Sequence, residues 1–213
     1  MNHSNFLVSI LLVVAATSSH AEEAALFNGR DLTGWEGNAQ VWRVEKGTIL
    51  GGSLEGNPQN EFLAFKERVD HFILKFEYKL TGTEGFINGG VQFRSERVKE
   101  PANEMRGYQA DIGAGFSGAL YDESRRNKML AQPTPELLDM TEKKDDWNTY
   151  EVRAEGSRIQ LFLNGVKTVD YIETEEDIEE DGLIALQIHG NCKAVIAFRN
   201  LTLTKLQDEK KKD

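Results

Sequence analysis

The sequence predicts an all-β fold, a sandwich or a barrel, and two observations carry that prediction. First, apolar and polar residues alternate over many short runs, which is the pattern of strands half buried in a sheet. Residues 72–80 (FILKFEYKL) are the clearest case, with five apolar side chains on one face and two lysines and a glutamate on the other. Second, turn signals separate these runs, and sustained 3.6-residue periodicity is nearly absent.

The predicted strands follow one another along most of the chain. They are residues 41–44, 48–50, 72–80, 90–95, 107–112, 118–121, 150–154, 159–163, 166–171, 183–189 and 195–203. Lys46-Gly47 and Asn164-Gly165 are typical of tight hairpin turns between neighbouring strands. Within the long polar stretch 122–146 we expect at most one helical turn, at residues 135–139.

The chain shows no internal repeat and no linker rich in proline and serine, so we expect one domain at residues 22–206 and a polar tail at residues 207–213. The acidic run 173–181 lacks the alternating Asp/Asn and Gly order of a calcium loop. We therefore expect a solvated loop there.

The N-terminus has the features of an export signal. Residues 6–16 form an uncharged apolar run that is too short for a comfortable membrane span. Ser19 and Ala21 are small residues at the two positions that a signal peptidase reads, which predicts cleavage after Ala21. Residues 1–21 are thus predicted to be a signal peptide, and the mature protein is expected to be secreted or periplasmic. The leader contains no Lys or Arg, so its positive charge rests on the amino terminus. The alternative is an uncleaved N-terminal anchor.

Charge and cysteine content exclude several classes of protein. The 213 residues include 35 acidic and 25 basic residues, for a formal net charge of -10. Nucleic-acid binding needs a concentrated basic surface, so no nucleic-acid partner is expected. We also expect no membrane partner once the leader is removed. Cys192 is the one cysteine, which rules out an internal disulfide and a cysteine-rich zinc site.

Three predicted strands carry polar pairs on the face opposite their apolar side chains. Amides, an arginine and a carboxylate recur there in place of the lysines and glutamates of an ordinary solvent face. The pairs are Gln92 with Arg94, Gln109 with Asp111, and Gln187 with His189. If the strands are neighbours, these side chains line one groove suited to sugar hydroxyls, which both donate and accept hydrogen bonds. Tyr121 and Trp147 offer flat surfaces for a sugar ring. The alternative is a polar outer face without a ligand.

His189 could act as a base, an acid or a metal ligand, because histidine titrates near neutrality. A divalent metal ion is a possible cofactor, held by His189, Asp111 and either Glu104 or Asp122, although no local motif supports such a site. Cys192 lacks the histidine and acid that would make it a nucleophile. The sequence contains no nucleophile elbow, P-loop or dinucleotide fingerprint.

An ordered set of segments resembles one protein family. The segments are LFNGRDLTGW (26–35), VWRVEKGTILGG (41–52), NGGVQFRS (88–95), GYQADI (107–112), SGALYDE (117–123), DWNTYEVRAEGSRIQLFLNG (146–165), GLIALQIHG (182–190) and FRNLTL (198–203). In this order they resemble the 3-keto-disaccharide hydrolase family, formerly a domain of unknown function, over about residues 25–206. The resemblance implies a concanavalin A-like jelly-roll sandwich of two antiparallel sheets, with a ligand groove on its concave sheet.

The resemblance also implies action on 3-keto-glycosides, which arise when an oxidoreductase oxidises the sugar 3-hydroxyl, so a sugar 3-dehydrogenase is an expected pathway partner. Carried over residue by residue, the groove would hold Arg94, Gln109, Asp111, Tyr121, Gln187 and His189. Many relatives have Glu where Gln109 stands and Gln where Asp111 stands, so the carboxylate is displaced by two residues on one face. That departure permits a different substrate or a purely binding role.

A 3-keto group acidifies the hydrogen on C2, so one base and a stabiliser for the enolate oxygen suffice for elimination, and water can then add. We expect His189 or Asp111 to be the base and Arg94, or a divalent ion in its place, to be the stabiliser. Gln92, Gln109, Tyr121, Trp147 and Gln187 are the expected substrate-binding residues. The alternatives are a non-catalytic carbohydrate-binding module of the same fold and a surface interaction domain.

Overall fold

The structure is a computed structural model that describes residues 22–207. The predicted signal peptide and residues 208–213 of the predicted tail lie outside the described residues. No helix within residues 22–207 has the length and apolar character needed to cross a membrane.

Residues 22–207 form fifteen strands and one short helix, so the predicted all-β class is confirmed. The strands are β1 (Glu23–Ala25), β2 (Trp35–Glu36), β3 (Trp42–Glu45), β4 (Thr48–Asn57), β5 (Glu61–Phe65), β6 (Phe72–Gly85), β7 (Asn88–Arg97), β8 (Met105–Gly113), β9 (Leu120–Glu123), β10 (Lys128–Ala131), β11 (Asn148–Glu155), β12 (Arg158–Leu163), β13 (Val166–Ile172), β14 (Leu183–Ile188) and β15 (Cys192–Lys205). The helix, α1, is Pro135–Thr141.

The strands form two antiparallel sheets, as predicted for a jelly-roll sandwich. Sheet 1 has the order β13-β12-β11-β6-β15-β4-β3, and β1 also pairs with β15. Sheet 2 has the order β10-β9-β8-β7-β14-β5-β2. One apolar core fills the space between them, built from the inward-facing residues of both sheets. Because successive side chains alternate between the two faces, the polar partners of these core residues lie on the outer faces.

Local turn and cap chemistry explains the boundaries of several elements. Both residues of Asn164-Gly165 have positive φ angles, 49° and 79°, as a two-residue hairpin turn of the primed type requires. Thr134 caps α1, because its hydroxyl oxygen accepts a hydrogen bond from Leu137 N, and Pro135 occupies the first turn. The helix extends two residues beyond the predicted helical turn.

Four strands were missed by the sequence prediction, and two of them show why. Strand β5 is buried on both faces, with only Phe65 partly exposed, so its sequence EFLAF shows no alternation. Strand β10 lies inside the polar stretch 122–146, where at most one helical turn is expected from the sequence. The remaining two, β1 and β2, are three and two residues long, too short to carry a pattern.

Candidate functional site

Strand pairing brings the predicted amides together on the outer face of sheet 2. Gln92 of β7 lies directly opposite Gln109 of β8, and Gln109 lies opposite Tyr121 of β9. On the other side of β7, strand β14 places Gln187 opposite Gly90, and Gly90 also faces Asp111. Directly opposed residues have Cβ atoms about 5 Å apart, so these side chains form one continuous surface. We call this surface, defined by Gln92, Gln109, Asp111 and Gln187, the amide face.

The amide face is deeply buried, and several of its polar atoms have no partner. Gln92 and Gln187 have no exposed surface and Gln109 is 2% exposed. Within residues 22–207, Oε1 of Gln92, Oε1 of Gln109 and both amide atoms of Gln187 make no hydrogen bond of normal geometry. Buried polar atoms are nearly always paired, and each exception costs about 1–3 kcal/mol. Such a concentration of unpaired amides is typical of a surface that a polar ligand completes.

The amide face is covered by the end of the β7–β8 hairpin, residues 96–105, which we call the arm. Met105 packs with Phe62 and Ala185 on the outer side of sheet 2, and its carbonyl accepts a hydrogen bond from Gln92 Nε2 at 3.4 Å. At the tip, Asn60 Nδ2 donates to Glu104 Oε2 at 3.3 Å. Because Asn60 lies at the far end of β5, the arm must fold back along the sheet to reach it. The arm is what removes the amides from solvent.

Asp111 is a buried carboxyl group on the amide face. Asn88 Nδ2 donates to its Oδ1 at 2.8 Å, and the backbone N–H of Ile112 donates to the same oxygen at 3.0 Å. Burial raises the pKa of Asp111 to about 7, with the nearby Glu123 carboxylate adding to the rise and the Asn88 hydrogen bond opposing it. This carboxyl group therefore changes between acid and base near neutral pH.

Glu123 is a second carboxyl group with a perturbed pKa on the same surface. It lies two residues beyond Tyr121 on β9, and burial raises its pKa to about 7, with a further rise caused by Glu104 of the arm. The neighbouring Gln187 amide opposes that rise. Glu123 is partly exposed, whereas Asp111 is 6% exposed. The surface thus combines two carboxyl groups that titrate near pH 7 with neutral amides.

His189 follows β14 at the edge of the amide face. Its backbone N–H donates to Asn88 O at 3.1 Å, and Nδ1 lies 2.7 Å from Gly190 O. A carbonyl oxygen can only accept, so Nδ1 carries a proton. The imidazole packs edge-on against Phe86, with ring centroids 4.8 Å apart. His189 is therefore placed to act on a group at the rim of the face.

Arg94 does not lie on the amide face, which corrects the sequence prediction. A β-bulge interrupts the pairing of β7 with β8 between Phe93 and Glu96, and Arg94 itself has a φ of 47°. The bulge breaks the two-residue alternation on which the prediction depended. The guanidinium group donates to backbone carbonyls at the end of the sandwich, through Nε and Nη2 to Asp70 O and through Nη1 to Gly156 O at 2.7 Å. Arg94 thus ties loops together at the end of the sandwich and does not belong to the amide face.

Trp147 is also remote from the amide face, contrary to the prediction. It directly precedes β11 of sheet 1, and the guanidinium carbon of Arg199 lies 3.9 Å from the centroid of its ring. Lys79 lies 5.8 Å from the same centroid. Nothing in the sequence revealed which sheet would carry this ring. Tyr121 remains the aromatic residue that borders the amides.

The proposed metal ligands do not converge. Among residues 22–207, no group of three or more His, Cys, Asp or Glu side chains is arranged to hold a metal ion. Asp122 is unavailable because it is fully buried in ion pairs with Arg125 and Arg126. The donor set among residues 22–207 therefore does not fit the divalent ion considered from the sequence.

Four contributors to this region were missed or misjudged from the sequence. Asn88 and Glu123 could have been found, because each continues the two-residue alternation of a strand already assigned to the face. Glu104 was considered as a metal ligand only. The aromatic ring of Phe86 carries no sequence signal, since it lies in the short connection between β6 and β7.

A comparison with protein families decides the affiliation of the chain. The profile of the 3-keto-alpha-glucoside-1,2-lyase-like domain matches residues 22–204. The chain belongs to this family. A search of curated proteins gave no significant match. The family is named for a sugar-cleaving activity, and the match agrees with the resemblance seen in the sequence motifs.

Solved structures share the fold of this lyase-like domain at low sequence identity. A "putative glycosyl hydrolase" from Parabacteroides distasonis has a TM-score of 0.65 and 18% identity, covering 87% of this chain and 94% of its own. The carbohydrate-binding module CBM66 from Bacillus subtilis has a TM-score of 0.61 and 17% identity, covering 81% and 96%. The carbohydrate recognition domain of Emp47p has a TM-score of 0.55 and 16% identity, covering 88% and 96%. At these identities the likeness shows the fold alone.

Proposed function

We propose that this domain is an exported enzyme that cleaves 3-keto-glycosides, with the keto sugar bound on the amide face. The observation that carries the proposal is a buried carboxyl group, Asp111, with a pKa of about 7, among amides of which several atoms make no hydrogen bond of normal geometry within residues 22–207. A general base is most effective when its pKa lies near the working pH. The amides offer donors and acceptors for sugar hydroxyls. Family membership and the apolar leader of the sequence agree with a sugar substrate outside the cytoplasm.

In the proposed reaction, Asp111 removes the proton from C2 of the keto sugar. The electrons of the C2–H bond form a C2–C3 double bond, and the negative charge moves to the former keto oxygen. Gln187 Nε2 makes no hydrogen bond of normal geometry within residues 22–207 and is the proposed donor to that oxygen, in place of Arg94. The enolate then re-forms the C3 carbonyl and a C1–C2 double bond, and the electrons of the C1–O bond leave with the leaving group.

The leaving oxygen takes up a proton, and water subsequently adds to C1 while C2 regains a proton, which gives net hydrolysis. His189 is the proposed partner of the leaving group, because it borders the amide face and is partly exposed. The arm closes over Gln92, so we propose that it lifts to admit substrate and closes to exclude water. The substrate would come from an oxidoreductase that converts the 3-hydroxyl to the ketone.

The test is to incubate the purified protein with a 3-keto-glucoside that carries a chromogenic leaving group. We expect release well above buffer, and a loss of at least about 100-fold in Asp111→Asn, which keeps the shape of the side chain but cannot accept the proton. Absence of release by a folded wild-type protein would refute catalysis. An unchanged rate in Asp111→Asn would refute the assignment of the base, and His189→Ala tests the remaining candidate.

A second candidate function is non-catalytic carbohydrate binding, which the low exposure of Asp111 favours. One oxygen of its carboxyl group already accepts two hydrogen bonds, so the group could serve only to orient amides. This function predicts affinity for glycans or keto-glycans without turnover. Calorimetry on the wild-type protein, run beside the release assay, separates the two functions.

A further inference from the structure

A polar cleft lies at the edge of the sandwich, between the end of β4, the β4–β5 connection and the β2–β3 connection. It has a volume of about 410 Å³, which lies within the range of small-molecule sites. Most of its lining side chains are polar, namely Asn38, Gln40, Ser53, Asn57, Gln59 and Glu61. No residue of the amide face lines this cleft. It is therefore a separate concavity of the molecule.

Glu61, at the start of β5, points away from the amide face. It lies opposite Ile188 in the pairing of β5 with β14, and Ile188 belongs to the core between the sheets. The next residue, Phe62, packs with Met105 of the arm on the outer side of sheet 2. Because successive side chains alternate between faces, Glu61 lies on the inner side, at the end of the sheet. A ligand of Glu61 and a sugar on the amide face would thus occupy different places.

The Glu61 carboxylate is buried without a cationic partner among residues 22–207. The residue is 8% exposed, and its Oε1 accepts hydrogen bonds from two neutral amides, Asn38 Nδ2 at 3.1 Å and Gln59 Nε2 at 3.0 Å. Oε2 makes no hydrogen bond of normal geometry within residues 22–207. Arg43 donates to Gly52 O at 3.0 Å beside the cleft, but its ion pair is with Glu45. Buried charges are normally paired with an opposite charge, so this carboxylate lacks the partner that a cationic ligand would supply.

The rim of the cleft offers groups suited to hydroxyls. Gln40 and Gln59 are exposed there, and an amide side chain both donates and accepts hydrogen bonds, as a hydroxyl does. Asn57 has a different role, because its side chain is fully engaged with backbone. Its Oδ1 accepts from Ser53 N at 2.9 Å and its Nδ2 donates to Ala194 O at 2.8 Å. Asn57 therefore fixes the wall, and the two glutamines are available to a ligand.

We infer that this cleft is a second binding site and that it takes an amino sugar whose amine is not acetylated. The ammonium group meets Glu61 Oε2 in a charge-assisted hydrogen bond, and the ring hydroxyls meet Gln40 and Gln59. A metal ion fits less well, because no group of three or more His, Cys, Asp or Glu side chains among residues 22–207 is arranged to hold one. The inference goes beyond the proposed function, since no bond of the ligand is made or broken in this cleft.

The experiment titrates the ¹⁵N-labelled protein with glucosamine, glucose and N-acetylglucosamine at about pH 6.5, where the free amine is protonated, and follows the side-chain amide signals by NMR. We expect the Kd for glucosamine to be at least about tenfold lower than for the other two sugars. The amide signals of Asn38 and Gln59 should shift, and those of Gln92 and Gln187 should stay in place. Equal affinity for the three sugars, or shifts confined to the amide face, overturns the inference.

The decisive variant is Glu61→Gln, which keeps the shape of the side chain and an oxygen that accepts from the two amides. Its matched control is Glu55→Gln, which removes the same charge from an exposed position of β4 outside the cleft. We expect Glu61→Gln to raise the Kd for glucosamine about tenfold and Glu55→Gln to raise it less than twofold. An equal effect of both variants, or no effect of Glu61→Gln, overturns the inference.

Two titrations of the wild type decide the matter even if Glu61→Gln does not fold. If n-butylamine binds as tightly as glucosamine, the cleft recognises an amine alone and the assignment to a sugar is overturned. If calcium chloride displaces glucosamine from the cleft, the site belongs to a metal ion and the inference is likewise overturned. Glucosamine binding that neither competitor matches or displaces supports the inference, whatever the result of the release assay on 3-keto-glucosides.

Discussion

Replacing Asp111 with asparagine should stabilise the folded protein, and the gain should grow as the pH rises. The wild-type carboxyl group is buried on the amide face, and ionising it there removes the charge from water. Asparagine has nearly the same shape, and its carbonyl oxygen can still accept hydrogen bonds from Asn88 Nδ2 and Ile112 N. The substitution therefore removes the cost of the charge while the packing and these two hydrogen bonds remain.

The magnitude follows from the perturbed pKa. Burial raises the pKa of Asp111 from 3.8 to about 7. Between these values the folded state holds a proton that the unfolded state releases, so the free energy of unfolding of the wild type falls as the pH rises and levels off above about pH 7. At about 1.4 kcal/mol per pH unit, the full penalty is about 4 kcal/mol. About 3 kcal/mol of it should develop between pH 5 and pH 8.

The assay is urea unfolding of both proteins at several pH values from 5 to 8, followed by tryptophan fluorescence. The control is Asp177→Asn, which removes one negative charge from an exposed loop position. We expect the difference between Asp111→Asn and wild type to grow by about 3 kcal/mol over this range and that of the control to stay flat. A difference for Asp111→Asn that does not change with pH would show that the carboxyl group is not held in a protonated state by burial.

The other predictions concern the arm, the reaction and the misassigned arginine. In a double variant with cysteines at Asn60 and Glu104, a short bis-maleimide cross-link between the two cysteines should abolish binding and turnover. Equal activity of this variant with and without the cross-link would show that the arm need not lift. In the wild type, kcat/KM for a 3-keto-glucoside should rise with pH and level off near pH 7 as Asp111 ionises, and a flat profile from pH 5 to pH 8 would exclude that base. Arg94→Met should lower the urea midpoint, because three hydrogen bonds to backbone carbonyls are lost, and it should change KM less than about twofold. A large change in KM at unchanged stability would show that Arg94 contacts the substrate. Trp147→Ala should leave ligand affinity measured by calorimetry unchanged, since its ring packs on sheet 1, and a loss of affinity would contradict that placement.

Most of the candidate site could be predicted where strand alternation is regular. Gln92, Gln109, Asp111 and Gln187 were placed on one face from sequence alone, and the structure puts them on one surface because β7, β8 and β14 are neighbours. The same rule failed at Arg94, where a bulge adds a residue to the strand. Alternation is thus a sound guide within a strand up to the first irregularity.

The covering of the site could not be predicted. The arm belongs to a polar connection whose sequence shows no preference for folding back over β5 and β14. Its position depends on contacts between residues far apart in the chain, such as Asn103 Nδ2 donating to Asn60 O at 2.9 Å. The raised pKa of Glu123 depends in part on Glu104 of the arm, and the raised pKa of Asp111 depends on its burial in the folded sheet, so neither could be predicted from the sequence.

The sequence by itself determined the fold class and the polar character of one sheet face, because burying one side of each strand imposes a two-residue period that can be read directly. Only the tertiary structure decided which polar residues meet. Strand order brought β14 beside β7, a bulge turned Arg94 away, and Trp147 fell on the other sheet. The physical reason is that the site depends on the pairing of strands far apart in the chain and on local irregularities such as bulges. Neither produces a periodic pattern in the sequence.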